Sequence, residues 1–194
     1  MILKGWQELT ISSSCLARTR EGIGETMGLF DFLKKKGLEF PELDVEDDDI
    51  VAPADGELVD ITTVSDEMFS QQMLGTSCAF HFPGKKVVVC APANGTLCEL
   101  FHTGHAFGVQ MKDDTELLIH IGVNTVETNG DGFKLVTGKK KGDVVSAGEP
   151  IVEVDLAKLS AKYDMSTMII VTDSSRDFQF ASPKEVTRGD SVLK

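Results

Sequence analysis

From Ile50 to the C-terminus, short β-branched and aliphatic runs alternate with Gly, Pro, Asp and Asn. This is the pattern of an all-β barrel or sandwich, because residues that suit a half-buried pleat are punctuated by residues that suit turns. Helical periodicity is scarce. Ser65–Gln72 has room for one or two turns, and Leu156–Tyr163 for another with Asp155 as its N-cap. Gly189–Leu193 reads as a last edge strand.

The β pattern repeats. Val51-Ala-Pro-Ala-Asp-Gly-Glu-Leu-Val-Asp-Ile61 matches Cys90-Ala-Pro-Ala-Asn-Gly-Thr-Leu-Cys-Glu-Leu100. A Pro that opens a strand, followed by an Asx-Gly turn, is specific turn chemistry, so the match predicts two copies of one β unit. A third stretch, Lys141–Val154, has the Gly-Asp…Ala-Gly spacing of lipoyl- and biotinyl-type hammerhead hairpins without their central modified Lys. The expected fold is therefore an all-β, duplicated, barrel-sandwich-hybrid-like β-sandwich with short helical turns, formed by one domain over residues 50–194.

Upstream the text changes. Residues 1–26 resemble a poor signal peptide lacking a cleavage motif, and read as an upstream extension ahead of a natural start at Met27. Residues 27–49 then read as an amphipathic segment followed by an acidic linker. In residues 28–36, Leu29, Phe30, Phe32 and Leu33 share one helical arc opposite Asp31, Lys34 and Lys35. That face suits peripheral contact with an anionic membrane, or docking on the domain. Glu46-Asp-Asp-Asp49 reads as solvated linker.

Composition narrows the function classes. In 194 residues there are 19 basic and 31 acidic side chains, a net charge of −12 that argues against a nucleic-acid partner. No apolar run approaches the roughly 20 residues of a membrane span. The 41% hydrophobic content is that of a globular chain, which at this length buries about 70% of its unfolded surface. Cys15, Cys78, Cys90 and Cys98 follow no CxxC spacing and read as reduced thiols of a cytoplasmic protein.

Two of the four histidines carry the chemistry. Thr103-Gly-His105-Ala-Phe-Gly-Val-Gln-Met111 and Thr115-Glu-Leu-Leu-Ile-His120-Ile-Gly-Val123 form a hairpin around a polar loop. If the loop holds an even number of residues, His105 lies opposite His120 or a same-face neighbour such as Gly122, with the two roughly 5–8 Å apart at Cβ. A three-residue loop would send them to opposite faces. Two imidazoles on one apolar surface suit zinc binding, general base catalysis or carriage of a phosphoryl group.

At these residues the chain resembles the glucose-type enzyme IIA of the bacterial phosphoenolpyruvate–sugar phosphotransferase system. The resemblance spans residues 28–194. It rests on Thr103-Gly-His105-Ala-Phe, Leu118-Ile-His120-Ile-Gly-Val-Asn-Thr-Val-Glu127, the Met-Gly-Leu-Phe-Asp start, both Ala-Pro-x-x-Gly copies and Gly130-Asp-Gly-Phe-Lys134. It implies that His105 takes a phosphoryl group from phospho-HPr and passes it to a cysteine of the IIB domain. By the same resemblance, His120 donates a hydrogen bond to the phosphate and Thr103 orients this second histidine. It further implies a docking rim of Phe69, Phe101, Asp66 and the position of Asn124. The partners are HPr, a IIB/IIC sugar permease and regulated permeases or kinases. No cofactor is required, and zinc bound by His105 and His120 would be shared with a partner protein. The implied location is the cytoplasm and the inner membrane face. Asn124 stands where an acidic residue is common, Glu67 replaces an apolar rim residue, and Asp114 replaces a turn Gly. His81 and His102 are additional, and the parity of His102 makes it a surface residue.

Two other readings share the β architecture. A lysostaphin-type zinc endopeptidase needs His-x-His and His-x-x-x-Asp pairs, and neither occurs around Ile119-His120-Ile121-Gly122. A non-enzymatic carrier or regulatory module is supported by the hammerhead-like stretch but lacks the modified Lys.

Overall fold

A computed structural model describes residues 40–194. The expectations for residues 1–26, for the segment 28–36 and for Cys15 lie outside the described residues. In chain order the strands are β1 (Gly56–Val59), β2 (Ser77–His81), β3 (Val87–Cys90), β4 (Gly95–Leu100), β5 (Ala106–Gln110), β6 (Glu116–Ile121), β7 (Phe133–Leu135), β8 (Val144–Val145), β9 (Pro150–Val154), β10 (Thr167–Asp173) and β11 (Lys184–Val186). Two short helices join them, α1 (Glu67–Ser70) and α2 (Leu156–Leu159). The Asp66 carboxylate caps α1 by accepting from the Met68 N–H, and Asp155 caps α2 by accepting from Lys158, as its sequence position requires.

The duplication read from the Ala-Pro-Ala echo is an approximate two-fold in the fold. The large sheet runs β11-β1-β2-β10-β6-β5-β4-β8, with β11, β1, β2 and β10 mirrored by β8, β4, β5 and β6. Gly56 pairs with Val186 in one half, and Gly95 with Val145 in the other. The two echo segments exchange backbone bonds, the Val51 N–H donating to the Pro92 carbonyl at 2.8 Å and the Cys90 N–H to Pro53 at 2.9 Å. The halves meet along β10 and β6, where Ile169 faces Ile119. A three-stranded sheet, β3-β9-β7, packs against the large one.

The core lies between the sheets and follows strand alternation. Leu117, Ile119 and Ile121 of β6 join Phe107 and Val109 of β5, Phe80, Ile169 and Val152 in one apolar cluster. Each such side chain contributes about 1.5–3 kcal/mol by leaving water. Leu118 and His120 occupy the alternate positions of β6, outside that cluster and still buried.

Two local expectations are corrected and a third is refined. Gly189–Leu193 forms only single bridges, Val51 to Ser191 and Phe180 to Leu193, and the sheet edge is β11. Gly189 turns at φ +96°, which interrupts any continuous ladder. The two arms of the hammerhead-like stretch, β8 and β9, belong to different sheets. Residues 46–48 are solvent-exposed as expected of a solvated linker, but the segment is tied to the domain. The Val45 carbonyl accepts from Asn94, the Asp48 carbonyl from Arg176, and Asp49 from Ser191.

The three cysteines within the described residues, Cys78, Cys90 and Cys98, are free and buried. Burial pushes the Cys78 thiol well up, and that of Cys90 to about 12.

Candidate functional site

β6 delivers His120 to the end of the large sheet, directly across from Ala106 of β5. The β5–β6 register sums to an even number and the connection is a three-residue turn, the Met111 N–H donating to the Thr115 carbonyl at 2.8 Å. The even-loop expectation is therefore wrong, and strict alternation would send His105 to the Phe107 face. The rings meet nevertheless. The strand ends at Ala106 and the chain turns at Gly104, φ +74°, so the pleat no longer fixes where His105 points. The Thr103 hydroxyl fixes it instead, with Oγ1 lying 2.6 Å from His105 Nδ1. The hydroxyl implied to orient His120 orients His105.

The two imidazole centroids are 5.5 Å apart and nearly perpendicular, at 76°. Phe69 of α1 packs on His120 at 5.0 Å, and Phe101 on His105 at 5.2 Å. Both histidines are only 4% exposed. Burial, helped by the neighbouring His102, lowers the His105 pKa to about 4. Burial and the nearby His105 lower that of His120 to about 3, against the opposing pull of the Gly122 carbonyl. Both rings are neutral at pH 7, the state in which an imidazole nitrogen is a nucleophile.

The nitrogens differ in access. His120 Nδ1 is sealed from solvent and makes no hydrogen bond of normal geometry. His105 Nδ1 is taken by Thr103. Nε2 is thus the nitrogen each ring has left to offer.

The expected rim residues fall in different places. Phe69 is fully buried beneath the rim, Phe101 is half-buried, and the Asp66 charge is committed to capping α1. Asn124 is exposed and left-handed at φ 58°, a conformation Asn tolerates, and it opens the 3₁₀ turn Thr125–Thr128. Asp114, at φ 65°, takes the left-handed turn position in the same way. His102 is exposed, and the exposed His81 reaches Ser166 Oγ at 3.0 Å, away from the pair.

Residues not singled out in the sequence support the turn after His120. The buried Thr125 hydroxyl donates to the Ile121 carbonyl at 2.6 Å and contacts that of Gly122 at 3.2 Å. The backbone of Asp164 and Ser166 holds the amides of Val123 and Gly122. The Thr125 position follows from the i+4 backbond distance; nothing local announces Asp164 or Ser166. Among the described residues no group of three or more His, Cys, Asp or Glu could hold a metal ion, so a zinc on the histidine pair requires ligands from elsewhere.

Residues 48–177 match the family model of the phosphoenolpyruvate-dependent sugar phosphotransferase system, EIIA 1. The chain belongs to this family. The PTS system glucose-specific EIIA component of Haemophilus influenzae is 36% identical over 169 residues, 86% of this chain and 97% of that protein. The glucose-specific EIICBA component of Staphylococcus carnosus is 38% identical over 146 residues, 74% of this chain and 21% of the relative. The chain therefore spans about a fifth of that relative and nearly all of the other. The solved glucose permease IIA from Mycoplasma capricolum aligns with a TM-score of 0.68 at 34% identity, covering 75% of this chain and 93% of that one. The family's β-sandwich is the fold found here, and the chain is a component of the sugar phosphotransferase system. Among the described residues no helix is long and apolar enough to cross a membrane.

Proposed function

We propose that this chain is a phosphocarrier, taking a phosphoryl group from phospho-HPr onto the His105–His120 pair and passing it to a IIB cysteine during sugar uptake. The observation that carries this reading is the pair itself: two buried, neutral imidazoles 5.5 Å apart, each with Nδ1 turned inward. The EIICBA name of the Staphylococcus carnosus relative joins C, B and A components in one protein, which supports a IIB/IIC partner.

The hydrogen bonding favours a division of labour within the pair. With its proton on the sealed Nδ1, His120 presents the lone pair of Nε2. The 2.6 Å contact between Thr103 Oγ1 and His105 Nδ1 serves this division of labour in the tautomer where the hydroxyl donates and the His105 proton sits on Nε2. His120 Nε2 then attacks phosphorus as the bond to the donor breaks. His105 Nε2–H donates to a phosphoryl oxygen and offsets the desolvation of its charge. The family resemblance implies the opposite assignment, with His105 as acceptor, and the two are separable by experiment.

The chain is incubated with phosphoenolpyruvate, enzyme I and HPr, and acid-labile phosphate is measured. Wild type and His105→Ala should incorporate phosphate while His120→Ala does not; the reverse pattern assigns acceptance to His105. Incorporation surviving removal of both histidines would end the phosphocarrier reading. Metal-dependent peptidase activity would revive the endopeptidase alternative.

Residues 28–36 are proposed as the element that contacts the inner membrane face of a cytoplasmic protein. The remaining proposed partners are regulated permeases or kinases.

A further inference from the structure

His120 is supported from behind by a segment distant in sequence. The Ser166 carbonyl accepts the Gly122 N–H at 3.0 Å, and the Asp164 carbonyl accepts the Val123 N–H at 2.7 Å. A Cβ at Gly122 would lie 3.1 Å from Met165 Sδ and 3.2 Å from the Asp164 carbonyl oxygen, so the two segments touch. The Asp164 carboxylate then folds its own segment and reaches a third. Oδ1 accepts the Ser166 N–H at 2.9 Å and the Ser166 hydroxyl at 2.6 Å, while Oδ2 accepts the Ser65 N–H at 3.1 Å. Ser65 directly precedes the N-cap of α1, the helix that lays Phe69 on His120. The Ser166 proton is committed to Asp164, so His81 Nε2 donates to Ser166 Oγ from the far side. Burial works against the Asp164 charge, yet the bonds from Ser166 and Ser65 outweigh it and hold its pKa at about 2.

We propose that Asp164 is a positioning residue for phosphoryl transfer, tying the turn behind His120 and the helix that carries Phe69 into one unit. This rests on the phosphocarrier reading above. Asp164 touches neither imidazole; it acts through the Gly122–Val123 turn that follows His120 and through Phe69, which packs on the His120 ring. Losing it frees both at once, and misplacement by about 1 Å costs on the order of 100-fold in rate.

The test uses the full chain. Phosphoryl uptake from phospho-HPr is followed in Asp164→Ala and Asp164→Asn, and the His120 ring nitrogens are read by 15N NMR without any donor. Asp164→Ala should lower turnover about 10–100-fold with the KM for HPr moved less than about threefold, and the His120 nitrogen shifts should move toward a tautomer mixture. Asp164→Asn, which keeps one acceptor oxygen and sets an NH2 against a backbone N–H that the carboxylate accepted, should recover only part of both. Wild-type turnover together with unchanged nitrogen shifts in Asp164→Ala overturns the proposal, as does an effect confined to KM, which would make Asp164 a docking residue. Should Asp164→Ala not fold, Asp164→Glu displaces the same charge by one methylene and is read the same way. If wild type takes no phosphate, the phosphocarrier reading fails, and the nitrogen shifts still decide whether Asp164 sets the His120 ring.

Discussion

The two halves of the large sheet share one topology and differ in what stands at one register position. In the half built from β4, β5 and β6, Ala106 pairs with His120; in the half built from β1, β2 and β10, the matching pair is Ser77 and Ile170. The residue before Ala106 is His105, and the residue before Ser77 is Thr76. The connections differ too. β4 and β5 are joined by the short stretch 101–105, which brings Thr103 and His105 together, whereas 60–76 between β1 and β2 carries α1. Phe69 on that excursion crosses to the other half and covers His120. A duplicated scaffold has therefore become one asymmetric site: one copy supplies the nitrogens and the other supplies a wall. β6 turns sharply at Gly122, while β10 runs on to Asp173.

Breaking that turn should have the largest effect. At Gly122, φ is +75° and a Cβ would meet Thr125 Cγ2 at 2.5 Å. Gly122→Ala should lower phosphoryl uptake about 100-fold and cost about 1–3 kcal/mol of stability, read from transfer kinetics and urea unfolding. Near-wild-type transfer would mean that the Gly122 turn does not set the His120 ring.

The next contrast is electrostatic, because only one half buries imidazoles. Both histidines have folded pKa values below the usual 6.5, so the unfolded chain binds more protons beneath that pH. Their contribution is fully present above about pH 6.5 and is lost on acidification, by up to about 1.4 kcal/mol per pH unit for each histidine, down to about 4 for His105 and 3 for His120. Denaturation midpoints between pH 7 and 4 should fall steeply in wild type and less in His120→Gln; equal slopes would show that burial does not hold the ring neutral.

The smallest effect on transfer is expected where the halves agree. Gly148 and Gly189 occupy matching positions, their N–H groups donating to Ala91 and Ala52, and Leu43 lies against both. Gly148→Ala and Gly189→Ala should each cost about 1–3 kcal/mol, with the rate of phosphoryl uptake unchanged. A selective loss of transfer in either variant would couple the residue 40–49 segment to the site.

Much of this was legible in the sequence where chemistry is local. The Ala-Pro-Ala-Asx-Gly copies require the same turn twice, and Asp155 at the start of an apolar-periodic stretch announces a cap. His105 and His120 stand out because polar rings in apolar strands need a reason. Legibility failed where a strand ends. The parity rule holds only inside a ladder: the three-residue loop would part the histidines, and they meet because the chain turns at Gly104. Asp66 read as rim because its charge is visible in the sequence and its hydrogen bond to Met68 is not.

What the sequence by itself determined is the duplicated β architecture, the identity of the two histidines and the family to which they belong, all of which rest on residue types at short spacings. The tertiary structure alone decided which nitrogen each ring offers, that Thr103 serves His105, and that Phe69 packs on His120 while the Asp164–Ser166 segment bonds the turn after it. The physical reason is one of range. Turn and strand preferences act over a few residues, whereas the neutrality and orientation of a buried imidazole are set by whichever carbonyls, hydroxyls and rings the fold carries to within hydrogen-bond or van der Waals reach.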